Sequence, residues 1–149
     1  MVAYQYKFAK VLTVREQEKA ETEMAYKESV VAFEKVATEL YTLLKKKEDT
    51  TDDQNNHLTQ GLSINHIHHY ANYIEGLQKR IDKVQKEVIQ ARSKMHWFEE
   101  RLLEKSLEVR KFEKIKEKDY ELFQQEQQRL ETIQLDEISS LKFQNKEIR

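Results

Sequence analysis

The stretch that decides the fold runs from Ile67 to Leu102, IHHYANYIEGLQKRIDKVQKEVIQARSKMHWFEERL. Its apolar residues recur on alternating steps of three and four: Ile67, Tyr70, Ile74, Leu77, Ile81, Val84, Val88, Ala91, Met95, Phe98 and Leu102. An α-helix turns once every 3.6 residues, so this spacing lays an apolar stripe along one face, the stripe a helix shows to a partner helix. It is unbroken for five heptads. The same register then passes through Lys105, Val109, Phe112, Lys116, Asp119, Phe123, Glu126, Leu130 and Ile133, where polar residues enter it.

Working back toward the N-terminus, a shorter stripe reads Tyr26, Val30, Phe33, Ala37, Leu40 and Leu44, preceded by Tyr4, Tyr6, Phe8, Val11 and Leu12. Arg15, Lys19 and Glu23 occupy the expected seam between them and weaken it. Pairs at four-residue spacing, Glu23 with Lys27, Glu75 with Lys79 and Asp82 with Lys86, add a few tenths of a kcal/mol each to helix stability. Between the stripes lies the polar, aperiodic run from Glu48 to His57, then Gly61-Leu62-Ser63-Ile64. Ser63 suits an N-cap, and Gly61 suits a bend that needs positive φ. The expected architecture is all-α, a single antiparallel coiled-coil hairpin spanning 1–149. Its helix 1 covers about 3–50, its loop about 51–62 and its longer helix 2 about 63–140. Folding there sets Leu44 opposite Ile67, Phe33 near Leu77, Val30 near Ile81 and Phe8 near Leu102, and leaves helix 2 unpartnered beyond residue 103. That extension still carries Val109, Phe112, Ile115, Leu122, Phe123, Leu130, Ile133, Leu135, Ile138, Leu141 and Phe143, which predicts a protein contact.

Composition agrees. In 149 residues there are two Gly, no Pro and no Cys, too few turn formers for a compact β or α/β domain and no thiol for a disulfide or thiolate metal site. Neither a membrane span nor a signal peptide is visible, which predicts a soluble, cytoplasmic protein without membrane insertion. The net charge of -1, from 26 basic and 27 acidic side chains, argues against nucleic acid as partner. The most basic part is 101–118, with seven cations against four carboxylates.

Chemistry is sparse. Gly61 and Gly76 form no phosphate loop, and a thin hairpin has no cleft to shelter a nucleophile or an oxyanion, so neither catalysis nor a cofactor is expected. His66 and His69 share a helical face and His68 and His57 lie close in sequence. Zinc, however, asks for three or four ligands, which requires His57 or Asp53 to fold back, so the cluster reads as polar surface near the hairpin tip. Met95-His96-Trp97-Phe98 reads as seam plus a rim aromatic. Tyr73 lies beside a seam that Tyr70, Ile74 and Leu77 already fill, which suggests a contact surface. Gly76 in the same turns either weakens the helix or admits a partner to its backbone.

Several segments resemble the FliJ family, the small coiled-coil proteins of the flagellar type III secretion apparatus. They are the aromatic opening Tyr4-Gln5-Tyr6-Lys7-Phe8-Ala9-Lys10-Val11-Leu12, the loop exit Gly61-Leu62-Ser63-Ile64 with His69-Tyr70-Ala71-Asn72-Tyr73-Ile74, and the segments Val109-Arg110-Lys111-Phe112-Glu113-Lys114 and Leu135-Asp136-Glu137-Ile138. The resemblance covers nearly the whole chain. It implies a cytoplasmic hairpin similar to the central stalk of rotary ATPases, sitting in the pore of the hexameric export ATPase. Contact with the membrane export gate and with chaperones of export substrates, and no hydrolysis of its own, are also implied. Carried onto this chain, Phe8, Lys10, Arg15, Arg110, Lys111 and Lys114 would face the ATPase, and Tyr73, Leu77 and Arg80 the gate. The alternative expectation is a structural coiled coil that self-associates through its extension as a scaffold; a metal switch at His66 and His69 ranks behind both.

Overall fold

The computed structural model describes the backbone of residues 2–148 and the side chains of residues 2–146. Among them there are two helices and no strand: α1, Ala9–Gln60, and the longer α2, Ile64–Ile148, packed as a hairpin, with residues 2–6 non-helical ahead of α1. The turn between the helices is three residues long. Gly61 sits at φ 89°, a left-handed conformation that a side chain would strain, and its N–H donates to the Leu58 carbonyl at 3.3 Å. Ser63 starts α2 as expected: its Oγ accepts from the His66 N–H at 3.4 Å, and its carbonyl accepts from His66 and Ile67 at 3.1 and 3.2 Å.

The loop expected over about 51–62 is therefore mostly helix. Residues 51–60 continue α1, held by side chains that a local reading does not see. Thr51 returns its hydroxyl to the Lys47 carbonyl at 2.8 Å, Lys45 reaches Asp49 at 3.7 Å, and Asp53 accepts from the Tyr70 hydroxyl of α2 at 3.2 Å. Moving the turn moves the register. Lys47 bonds Gln78, and Arg92 rather than Leu77 covers the Phe33 ring, at 5.6 Å.

The chain divides into two compact units, each with its own core. In the unit Ala20–Leu103, Leu43, Leu77, Ile81, Val84 and Val88 are buried, with Phe33, Val36 and Leu40 packed against them. Every α2 member from Leu77 to Val88 lies on the expected stripe. On α1 the expected members Tyr26, Val30, Phe33, Ala37 and Leu40 are half-buried, joined by Ser29 and Val36, and the stripe passes through Leu43 instead of Leu44. The difference is one residue within a three-four alternation: Leu43 is 2% exposed and Leu44 43%, so Leu44 does not pair with Ile67, itself exposed. Ser29 tolerates burial because its hydroxyl donates to its own helix, at the Tyr26 carbonyl 2.6 Å away. Of the expected intrahelical pairs, Glu23–Lys27 and Glu75–Lys79 form at 3.6 and 3.8 Å, while Asp82 accepts from Gln78 at 2.8 Å. Gly76 has nothing within 4 Å of where a Cβ would stand. Gly76→Ala is therefore expected to stabilise the chain by about 0.5–1 kcal/mol in denaturant titration, by restricting the unfolded backbone and suiting the helix; a destabilised variant would show that the position is not free.

The second unit comprises residues 1–19 with 104–149. Its core is Tyr6, Leu12 and Val109, with Tyr4 and Phe112 packed against them. Partnering of α2 thus extends past residue 103, through Phe112 to Phe123. Side chains 131–146 are all exposed, so the unpartnered extension is shorter than expected.

Candidate functional site

Tyr4, Tyr6 and Phe8 alternate with single residues, the period that places side chains of an extended chain on one side. The structure uses that period in place of the helix expected from about residue 3. Residues 2–6 form a strap against α2: the Tyr6 hydroxyl donates to the Phe112 carbonyl at 2.9 Å, and Tyr4 donates to Asp119 Oδ2 at 2.9 Å and to the Lys116 carbonyl at 3.5 Å. The Tyr4 ring meets Tyr120 edge-on at 5.0 Å and Phe123 at 5.2 Å, and Phe8 meets Phe112 at 6.2 Å rather than the expected Leu102. Phe8 remains 38% exposed.

Desolvation first, then the hydrogen bond to the Asp119 carboxylate, push the Tyr4 phenol from its ordinary 10.0 up to about 12; desolvation and the Asp119 charge raise Tyr6 as well. A raised folded value means that the part of the strap's stability linked to the Tyr4 proton is complete below pH 10.0 and is lost as pH climbs through about 12. A difference titration of tyrosinate absorbance, wild type minus Tyr4→Phe, is expected to place Tyr4 near 12 and to coincide with loss of amide protection in residues 2–8. Half-titration at 10.0 would contradict the clasp.

Behind the strap, Glu18 ties the two helices together. Its Oε2 receives Lys105 Nζ from α2 and Arg15 Nη1 from its own helix, both at 3.1 Å. These hydrogen bonds, Lys105 first, hold its carboxyl below the usual 4.5. The pair's support is present above that value and fades as pH falls through the lower folded one. Arg15 Nε and Glu108 Oε2 are shielded without a hydrogen-bond partner. A shallow open groove here is lined by Arg15, Glu104, Lys105, Leu107, Glu108 and Lys111.

Of the residues expected to face an ATPase, the structure thus gathers Arg15 and Lys111 at one groove. Lys10 lies along the strap with Lys7 and Lys116. Lys111 Nζ lies 5.9 Å from the Phe112 ring, and Arg110 and Lys114, four residues apart and exposed, share a helix face. Of the residues expected to face the export gate, Tyr73 is 50% exposed and Arg80 is exposed, but Leu77 is 5% exposed within the Ile81 core. Leu77 is a packing residue: the stripe that predicts the hairpin already claims it, and no surface partner reaches it without opening the seam.

His66 Nδ1 shares a hydrogen bond with Ser63 Oγ at 2.6 Å and His57 Nδ1 lies 2.9 Å from the Asp53 carbonyl; among the described residues no three His, Cys, Asp or Glu side chains converge as metal ligands. No helix of the described residues is long and apolar enough to cross a membrane. The Tyr4–Asp119 and Glu18–Lys105 contacts escape a sequence reading, since they join residues more than 80 positions apart and need the correct register.

A sequence profile described as the flagellar FliJ protein matches residues 4–147. The flagellar FliJ protein of Bacillus subtilis (strain 168) is 37% identical over 142 residues, covering 95% of this chain and 97% of that protein. No solved structure matches.

Proposed function

The chain belongs to the flagellar FliJ protein family across nearly its whole length, and from that membership we propose that it is a non-enzymatic component of the flagellar type III export apparatus. In this reading it works in the cytoplasm as a stalk-like coiled coil. It binds and promotes the hexameric export ATPase and links it to the cytoplasmic part of the export gate and to substrate chaperones. The observation that supports it most directly is the surface beside the aromatic strap: Phe8, Lys10, Arg110, Lys111 and Lys114 are exposed where residues 2–12 clasp α2. Exposed ion pairs contribute only about 0–1 kcal/mol each, so several must act together and binding should weaken with salt.

The test is ATP hydrolysis by the purified export ATPase with wild type and with the triple reversal Arg110→Glu, Lys111→Glu, Lys114→Glu. Wild type is expected to stimulate and the reversal to lose at least about tenfold in half-maximal concentration, which is 1.4 kcal/mol. Equal stimulation by both would reject the assignment. No stimulation by wild type, with stable homo-oligomers formed through the exposed extension 131–146, would favour the scaffold instead.

For the gate contact, Tyr73 and Arg80 remain as surface candidates, and Leu77 does not. Tyr73→Ala is expected to leave the melting temperature within about 2 °C, as for a surface substitution, while weakening capture by the purified cytoplasmic part of the gate. Early melting with unchanged capture would make Tyr73 a packing residue.

A further inference from the structure

Between Lys79 and Lys94, α2 carries six cations, Lys79, Arg80, Lys83, Lys86, Arg92 and Lys94, against two carboxylates, Asp82 and Glu87. The excess is organised. Lys79, Lys83, Lys86, Gln90, Lys94, Trp97 and Arg101 follow one another in steps of three and four, so they line one helix face, and all are exposed. This stripe lies away from the seam face that holds Leu77, Ile81, Val84 and Val88. Lys79 is partly neutralised by Glu75 at 3.8 Å, whereas Lys83, Lys86 and Lys94 have no ion-pair partner among the described residues. In a chain with as many acids as bases, uncompensated lysines on one face are a field awaiting a counter-charge.

The stripe ends on an anchor. Trp97, the chain's single tryptophan, is 51% exposed, with the Arg101 guanidinium 4.9 Å from its ring and Phe98 edge-on at 5.0 Å. Exposed Trp and Arg, with the ring already oriented by its neighbours, are the residue types that dominate binding energy at protein interfaces.

We propose that the α2 face from Lys79 to Arg101 docks an acidic helix of a partner protein, with carboxylates at helical spacing against Lys83, Lys86 and Lys94 and an apolar side chain over Trp97. The stripe spans 22 residue steps, roughly 33 Å of helix, and its three-four spacing matches the repeat of carboxylates on another helix. Charge selects a helix over a broader polyanion. In the same unit, residues 20–60 of α1 carry nine carboxylates against five cations, so the basic excess is confined to a stripe about one helix wide, too narrow a field for a bilayer or a nucleic acid. A single helix about 10 Å wide touches the α2 stripe alone. Membrane insertion is further disfavoured because the apolar face of α2 is occupied by the hairpin seam.

The experiment uses the full-length protein and reads Trp97 fluorescence, which reports one site because there is no second tryptophan. The probes are a synthetic acidic helix about 22 residues long, with Glu at three-four spacing and one Leu placed to meet Trp97, a scrambled peptide of the same composition, phosphatidylserine vesicles and single-stranded DNA. The patterned peptide is expected to blue-shift the emission, to bind at least tenfold more tightly than the scrambled one (about 1.4 kcal/mol), and to be released by salt. Lys83→Glu, Lys86→Glu, Lys94→Glu is expected to abolish this with unchanged circular dichroism, and the milder Lys→Gln triple to weaken it if the reversal disturbs folding. Tighter binding to vesicles or DNA than to the peptide would overturn the proposal in favour of that polyanion. A protein dimer lost on reversal, with no peptide effect, would overturn it in favour of a second copy. Unchanged peptide affinity in both triples would remove the stripe's role altogether.

Discussion

Ile81→Asp is expected to melt on the order of 10 °C below wild type, with a loss on the order of 4 kcal/mol in denaturant titration. Ile81 is 1% exposed, the most enclosed side chain in the unit Ala20–Leu103. The variant deletes its apolar contacts with the Leu43, Leu77, Val84 and Val88 cluster and places a carboxylate among those apolar side chains. At this chain length each kcal/mol moves the midpoint by about 2–4 °C. A paired comparison on α1 reads the register directly: Leu43→Asp should behave like Ile81→Asp, and Leu44→Asp should stay within about 0.5 kcal/mol of wild type. If Leu44→Asp were the damaging member, the turn would lie nearer residue 55 and the seam described above would be wrong.

The second large effect is expected at Val109→Asp. Val109 is 4% exposed and closes the cluster with Tyr6 and Leu12, which anchors the strap. A carboxylate there has the same desolvation problem, again several kcal/mol, but the readout is local. Residues 2–19 and 104–123 should lose amide protection and become protease-sensitive at concentrations of urea that leave the Ile81 cluster protected, because the two apolar clusters share no residue. Uniform loss across both clusters would mean that the chain unfolds as one cooperative block.

The helical hairpin was legible because its information is in α2. From Tyr70 to Phe112 the stripe read off the spacing is the stripe that is at least partly buried. On α1 the expected stripe is half-buried from Tyr26 to Leu40 and departs only at its end, since a three-four alternation can be entered in either phase and Leu44 is as apolar as Leu43. Ser29 gave no apolar signal at all; its fitness for burial depends on a bond to its own backbone. Residues 51–60 looked like a loop because Asp, Asn and Thr are poor helix formers, a local preference that Tyr70 and the turn at Gly61 override from outside the segment. Of the site, the exposed cations and Tyr73 were visible as surface residues. Leu77 fits the seam by spacing and the gate by resemblance, and packing decides for the seam.

The short turn at Gly61 also governs how the gene can change length. With the reversal held to three residues, one codon inserted in α1 between Ser29 and Leu43 rotates everything on one side of it by about 100°, turning half of that seam toward water. Seven codons rotate it by only about 20°, yet slide α1 two turns past α2 unless seven more are added opposite. Viable length variants of this hairpin should therefore come as matched heptad insertions in both arms, or fall in the exposed stretch 131–146, where no seam has to be kept in step.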